Sequence, residues 1–426
     1  MKKILHLARP AIILSAIIVS ITHVDARTPV PVSNHTWEEC TGSALPYPAP
    51  DVTPSYPDSL QPVMINHIGR HGARFAASPK SVSVIARALD TADSLGTITP
   101  AGSQLREIAA QVVHRTDGRW GQLDSLGRAE QREIAARMYR LFPQPFKDGK
   151  VTAIASYVPR CRASMYAFVH ELALLAPRLD ISADAGPEFT PLMRFFKTDT
   201  AYLAFRESHE LKHTFKKYAE TALTIAPLER VLGAGFPFPA DKSELMALAI
   251  AEYQLLAGLS AINLPSPDIS QYFTPEEFNR IWSIFNMRQY LRYSRSILGD
   301  TPALAASALL ADIIATTDSY VYHGAGAPVQ LRFGHAETLM PFLSLLEIAP
   351  AHFISPNLDE VATRWLDFRL VPMAANVRFI VFRAPSGRHY LRFDLNERPL
   401  PLIPGNPAIY LPLPEALTHL QSLLPE

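Results

Sequence analysis

The sequence predicts an α/β fold, a Rossmann-like mixed sheet core flanked by helices, with a mainly α-helical domain inserted into it. Three observations lead there. Short apolar runs from Pro62 to Asn66, Val151 to Ala155 and Val329 to Phe333 each lead into a polar motif and then a helical pattern, the strand, loop and helix order of an open α/β sheet. Between Pro191 and Asp318 strand signals are scarce and helical ones dominate. Beyond that stretch, Asn376 to Arg383 and His389 to Leu395 alternate like paired strands. The expected boundaries are a core from 62–190 and 319–426 and a helical insertion at 191–318.

Composition sets limits on class. A chain of 426 residues with 48% hydrophobic content buries a large core and is neither disordered nor fibrous. Forty basic residues balance forty acidic ones, so no global field marks a nucleic-acid binder, and recognition of anions must rest on local clusters. Residues 1–26 read as an export signal: Lys2 and Lys3 lead, Ala11 to Ile21 is apolar, and Val24-Asp25-Ala26 offers a cleavage site. The apolar run falls short of the ~20 residues that span a bilayer. The mature chain is therefore expected to start near Arg27, in the periplasm or secreted, without a membrane anchor.

Residues 27–61 are proline-rich and lack periodic apolar spacing, as an extended arm would. Cys40 and Cys161, the only cysteines, either pair across a long loop or remain buried thiols. A zinc site on two such distant cysteines is disfavoured. The sequon Asn34-His35-Thr36 matters only in a eukaryotic host.

In chain order, helical patterns cover Ser81 to Leu95 and Ala101 to His114. Asp124-Ser125-Leu126-Gly127-Arg128-Ala129-Glu130-Gln131 then opens a helix to Leu141 whose Ile134, Met138 and Leu141 share a core face. After the second strand, a loop Ser156-Tyr157-Val158-Pro159-Arg160-Cys161 precedes a helix from Ala163 to Leu175. Within the insertion, Thr274-Pro275-Glu276-Glu277 is a capping-box helix start. Following the third strand, a helix runs to Leu346. Ala384-Pro385-Ser386-Gly387 suits a type I turn between the last two strands.

The first strand ends in His67-Ile68-Gly69-Arg70-His71-Gly72-Ala73-Arg74. Two arginines flank one histidine there, and arginine presents a planar fork of donors to tetrahedral oxyanions. The other strand ends carry Arg160 and His335-Ala336-Glu337. With these motifs the chain resembles the histidine phosphatase superfamily, in its acid-phosphatase and phytase branch, and is most similar to the multiple inositol polyphosphate phosphatases. The resemblance runs from Tyr47-Pro48 to Asn396-Glu397-Arg398, with Leu331-Arg332-Phe333-Gly334 and Pro372-Met373-Ala374-Ala375-Asn376 as further matches. His-Ala-Glu is typical of that subfamily, where most acid phosphatases of the branch have His-Asp. The proline that often follows the second arginine is replaced by Phe75 and Ala76.

The resemblance implies that His71 is the nucleophile of a phosphohistidine mechanism, with Arg70, Arg74 and Arg160 binding phosphate. It also implies that His335 donates to a phosphate oxygen and that Glu337 protonates the leaving alkoxide. Neither cofactor nor metal is expected. Inositol polyphosphates are the implied substrates, and a broad acid or sugar phosphatase is the alternative. Arg194 and Lys197, beside Phe195-Phe196, fall where the family often has an arginine-phenylalanine motif; Arg288, Arg292 and Arg295 share a helical face. Either set is a candidate for the outlying phosphates.

Two other classes compete. His209-Glu210-Leu211-Lys212-His213 has the spacing of a zinc-peptidase helix, but its charged surroundings suit a solvated helix. A phosphate-binding protein without catalysis would lack the nucleophile or the acid, whereas His71 and Glu337 are both present.

Overall fold

A computed structural model describes residues 35–52, 54–147 and 149–425. The expected export signal, Asn34 of the sequon and the first part of the arm lie outside the described residues. One mixed sheet organises the rest. Its strands are β1 (Gln61–Arg70), β2 (Lys150–Ala155), β3 (Asp180–Asp184), β4 (Val329–Gly334), β5 (Asn376–Arg383), β6 (His389–Leu395), β7 (Arg398–Leu400) and β8 (Leu411–Pro412). Their order is β3-β2-β4-β1-β5-β6-β7, with β8 paired to β6.

The half of the sheet from β3 to β1 is parallel, and β5 joins β1 antiparallel. Parallel pairing aligns the carboxyl ends: Arg70 pairs with Gly334 and Ala155 with Phe333. The residues just beyond each strand therefore emerge side by side, the position where open α/β sheets bind ligands. β1 extends four residues beyond its apolar run because β4 and β5 continue the backbone ladder on both sides of it. Its burial is continuous from Met64 to Arg70, as for a central strand. β3 has no counterpart in the sequence reading; it is a short edge strand, DISAD, with exposed acidic ends.

The helices match the expected periods and caps. α1 (Lys80–Ser94), α2 (Pro100–Thr116), α3 (Ser125–Leu141) and α4 (Pro159–Leu175) follow in order. Asp124 caps α3 by accepting from Leu126 N, and Thr274 and Glu277 form the reciprocal capping box of the helix Pro275–Tyr293. α4 begins earlier than the expected Ala163, since Pro159 occupies its first turn. Arg160 thus stands on a helix rather than on a loop. Among the described residues between β3 and β4 the chain is helical or irregular.

Two apolar clusters cover the sheet. One joins α1 and α2 with the helices preceding β4, through Ile85, Leu89, Leu228, Val231 and Trp282, and takes Phe379 from β5. The other packs Ile134, Met138, Phe168 and Leu172 of α3 and α4 against Val151 and Ile380. Adjacent residues of β5 face opposite layers, as a pleated strand requires. Cys40 and Cys161 fall in different clusters, and both are buried free thiols. No helix among the described residues is long and apolar enough to cross a membrane.

A buried carboxyl group couples stability to pH. Glu252, on the helix Lys242–Ala257, is fully buried and neither carboxylate oxygen has a hydrogen-bond partner. Burial raises its pKa well above 4.5, with Arg230 opposing and Glu277 adding to the rise. A folded-state pKa above the unfolded value means that the native chain holds the extra proton. Its stability is then full below the ordinary carboxylate range and falls as pH rises towards the folded-state pKa. Glu252→Gln is expected to raise the urea midpoint at neutral pH and to lose that advantage in acid; an unchanged or lowered midpoint at neutral pH would contradict the assignment.

Candidate active site

His71 is the first residue beyond β1. Its backbone N–H donates to Gly334 O at 3.0 Å, and Arg70 N donates to Ala375 O at 2.7 Å, so the chain leaves the sheet pinned on both sides. Buried groups from α3 and α4 hold the loop from Gly72 onward. Glu130 accepts from Ala73 N at 2.7 Å and from Tyr47 N at 2.8 Å, Gln131 donates to Arg70 O at 2.9 Å, and Gly72 N donates to Ser164 Oγ at 3.1 Å.

Close backbone contact between the loop and α3 explains two glycines. A Cβ on Gly72 would lie 2.6 Å from Gly127 Cα, and one on Gly127 would lie 2.6 Å from Ala73 N. Both neighbours are backbone and cannot swing aside. Gly127→Ala is expected to cost about 1–3 kcal/mol, read as a lower urea midpoint, with the His71 loop displaced. Full retention of stability and phosphate turnover would show that this contact does not hold the loop.

The rings of His71 and His335 are edge to face with centroids 5.7 Å apart, each side chain 2% exposed. His71 Nδ1 lies 3.0 Å from Gly72 O. A carbonyl only accepts, so Nδ1 carries the proton and the lone pair is on Nε2. Burial, then Arg70, Arg160, Arg74 and His335, hold the His71 pKa well below 6.5, which keeps the imidazole neutral and nucleophilic. His335 precedes the helix Ala336–Leu345; its Nδ1 is 3.3 Å from Arg160 Nη2, and its Nε2 is 3.0 Å from Ser156 Oγ.

Three guanidiniums converge on these rings. Arg70 donates to the carbonyls of Ser43 and Val371, and Arg74 to Phe75 O at 2.8 Å. Burial and mutual repulsion with Arg160 push the pKa values of Arg70 and Arg74 down to about 10, with Glu337 opposing. Nearby cations that depress one another form a strong local field for an anion. Asp367 lies under the cluster, accepting from Trp282 Nε1 at 3.0 Å and Ser43 N at 2.9 Å.

Arg74 and Glu337 line a cleft of about 490 Å³ together with Arg288, Arg292, Tyr253 and Tyr293. Arg70, His71 and His335 are outside that lining and buried, at 4%, 2% and 2% exposure. Of the candidates for outlying phosphates, Arg288 and Arg292 therefore face the same space as Glu337. Arg194 stacks on Tyr157, with 4.9 Å from its guanidinium to the ring centroid, and acts electrostatically on His335. Lys197 is exposed and outside the cleft lining. Arg295 does not share the helical face of Arg288 and Arg292: the helix ends at Tyr293, and Arg295 pairs with Glu347.

The remaining motif stays apart. His209 and His213 are exposed on the helix His209–Ala222, their rings stacked at 5.7 Å. Among the described residues no third metal-ligating side chain joins them. Sequence reasoning passed over Glu130, Gln131, Ser156, Ser164 and Asp367. A glycine inside the helical pattern of α3 and an acid three residues later were the available signals for the first two.

No protein-family model matches the sequence. The multiple inositol polyphosphate phosphatase 1 of Homo sapiens is 24% identical over 374 residues, 80% of this chain and 75% of that protein. The Bifidobacterium longum multiple inositol polyphosphate phosphatase, solved with phosphate, superposes with a TM-score of 0.70 at 19% identity, covering 90% of this chain and 97% of that one. Its complex with inositol hexasulfate gives 0.67 at 18%, covering 88% and 96%. The D. castellii phytase gives 0.68 at 14%, covering 91% and 85%. The chain has the histidine phosphatase fold. Within that fold, His71 follows β1 between Arg70, the last residue of that strand, and Arg74, while Arg160 follows β2 and His335 follows β4.

Proposed function

We propose that the protein is a phosphomonoesterase that hydrolyses inositol polyphosphates through a phosphohistidine on His71. The observation that carries this reading is the His71 imidazole, with Nδ1 on Gly72 O and its lone pair on Nε2, set among Arg70, Arg74 and Arg160, with Arg74 and Glu337 lining a cleft. In the proposed reaction the three guanidiniums hold the phosphoryl oxygens and offset their developing charge. His71 Nε2 attacks phosphorus in line, the P–N bond forms, the ester P–O bond breaks, and Glu337 gives its carboxyl proton to the leaving oxygen. Water then attacks the phosphohistidine, with Glu337 as base, and orthophosphate leaves.

The inositol polyphosphate assignment draws on the His335-Ala336-Glu337 motif and on relatives named for that substrate class. The cleft volume suits a small polar ligand, and Arg288 and Arg292 add positive charge away from the reacting phosphate. With the export signal expected at residues 1–26, the enzyme would work in the periplasm or outside the cell.

Phosphate release from inositol hexakisphosphate, compared with a simple sugar phosphate in excess chelator, tests the reading. The hexakisphosphate is expected to be the better substrate by kcat/KM, with activity unaffected by chelator. Arg288→Ala combined with Arg292→Ala is expected to raise KM for the hexakisphosphate about ten-fold or more, in line with losing charge-assisted bonds, while sparing the sugar phosphate. Equal efficiency on both substrates in the parent protein would favour the broad phosphatase instead.

A further inference from the structure

The proton positions around His335 follow from its partners. Arg160 Nη2 only donates, so His335 Nδ1, 3.3 Å away, must accept. Burial, with Arg160, Arg194, Arg74 and Arg70 all adding to it, holds this imidazole well below its ordinary pKa of 6.5. A neutral ring has one proton, which therefore sits on Nε2 and is donated to Ser156 Oγ at 3.0 Å. Ser156 Oγ also accepts from Val158 N at 3.4 Å, which occupies its second lone pair and leaves the hydroxyl hydrogen to be donated. Cys161 Sγ packs over the imidazole, 3.5 Å from Nε2 and 3.7 Å from Nδ1, and donates to Gly334 O at 3.2 Å. That carbonyl also accepts from His71 N. The direction from Arg160 Nη2 through His335 to Ser156 Oγ is set by the guanidinium, which only donates.

His71 is held the other way round, with its proton on Nδ1. The two rings of the site are thus opposite tautomers.

Building on the phosphatase reading above, we propose that Ser156 and Cys161 are positioning residues that fix His335 as the Nε2–H tautomer, so that it meets the substrate with an unprotonated Nδ1 and takes its proton from the phosphate monoanion. The edge carrying Nδ1 faces Arg160 and the guanidinium cluster. When Arg160 turns to the phosphate, the P–O–H of a monoanionic ester transfers its proton to His335 Nδ1. The resulting imidazolium and phosphate dianion remain hydrogen-bonded. After His71 has attacked and the phosphohistidine is hydrolysed, the proton returns to the departing orthophosphate, so the ring ends each cycle neutral. The other groups facing the ring are His71 and Cys161, with Glu337 two residues along the same chain; of these Glu337 alone is an acid, and its proton goes to the leaving oxygen.

Protein labelled with ¹⁵N-histidine tests the tautomer without any turnover. The ligand-free parent is expected to show a lone-pair nitrogen at Nδ1 and a protonated Nε2 for His335, identified by the signals lost in His335→Gln. Added inorganic phosphate in mild acid should convert them to an imidazolium pair. Ser156→Ala should release the tautomer, whereas Ser156→Thr and Cys161→Ser keep the donor chain and the parent spectrum. In kinetics, the alkaline limb of kcat/KM should follow the second ionisation of the substrate phosphate in the parent and lose that dependence in Ser156→Ala, with kcat reduced about 10–100-fold. A protonated Nδ1 in the ligand-free parent overturns the proposal, as does a Ser156→Ala variant that keeps both the parent spectrum and the parent pH profile. If no phosphate ester is hydrolysed at all, the function assignment fails while the spectrum still decides the tautomer.

Discussion

Replacing His71 with alanine is expected to reduce phosphate release by about 10⁴-fold or more, the scale seen when an attacking residue is removed and only binding and charge stabilisation remain. The reason is specific to the ring's setting. Gly72 O accepts a hydrogen bond from Nδ1–H, and burial with three arginines keeps the imidazole neutral, which leaves Nε2 as the attacking lone pair. His335 does not substitute, because its Nε2 carries a proton towards Ser156 Oγ and its Nδ1 is held by Arg160 in the free protein and takes the phosphate proton once substrate is bound. Acid quenching with ³²P-labelled substrate should trap an acid-labile phosphoprotein in the parent and none in His71→Ala. Because the folded-state pKa lies well below 6.5, protonation of His71 should not limit kcat/KM until far into the acid range. A variant that retains parent turnover and the trapped phosphate would falsify the nucleophile assignment.

Glu337→Gln is the second large effect. Glutamine keeps the length and volume but has no acidic proton, so the leaving alkoxide must depart unprotonated. Phosphate release from an alkyl ester such as an inositol phosphate should fall about 10²–10⁴-fold. An aryl ester with a stable phenolate leaving group should lose far less, since its oxygen needs little help. The ratio of the two losses separates acid catalysis from a merely structural charge at the start of the helix Ala336–Leu345. Equal losses on both esters would assign Glu337 to binding or folding and leave the general acid unidentified.

Much of this site was legible because its residues cluster at strand ends in the sequence itself. The segment from Arg70 to Arg74, Arg160 and His335-Ala336-Glu337 each follow an apolar run, and the structure puts those runs in adjacent parallel strands. The supports of the site were less visible. Glu130 and Gln131 look like ordinary helix residues until the loop packs on α3, and Ser156 has no local pattern that separates it from any other loop serine. Asp367 is distant in sequence from every motif, yet it anchors Ser43 beside Arg70. The helical period runs on through Arg295 and groups it with Arg288 and Arg292, but the helix stops before reaching it.

The sequence by itself determined which chemistry was available: an α/β alternation with an all-helical stretch, one histidine flanked by arginines, a second histidine with an acid, and caps that start the helices where expected. Local periodicity and short-range hydrogen bonding suffice for these, since they depend on residues a few positions apart. Tertiary structure alone decided how far β1 runs, that Cys40 and Cys161 remain apart, that Lys197 lies outside the cleft, and which nitrogen of each histidine carries its proton. The physical reason is that a tautomer is set by the partner at the ring's edge, and for His335 those partners, Ser156 and Arg160, stand 179 and 175 residues away.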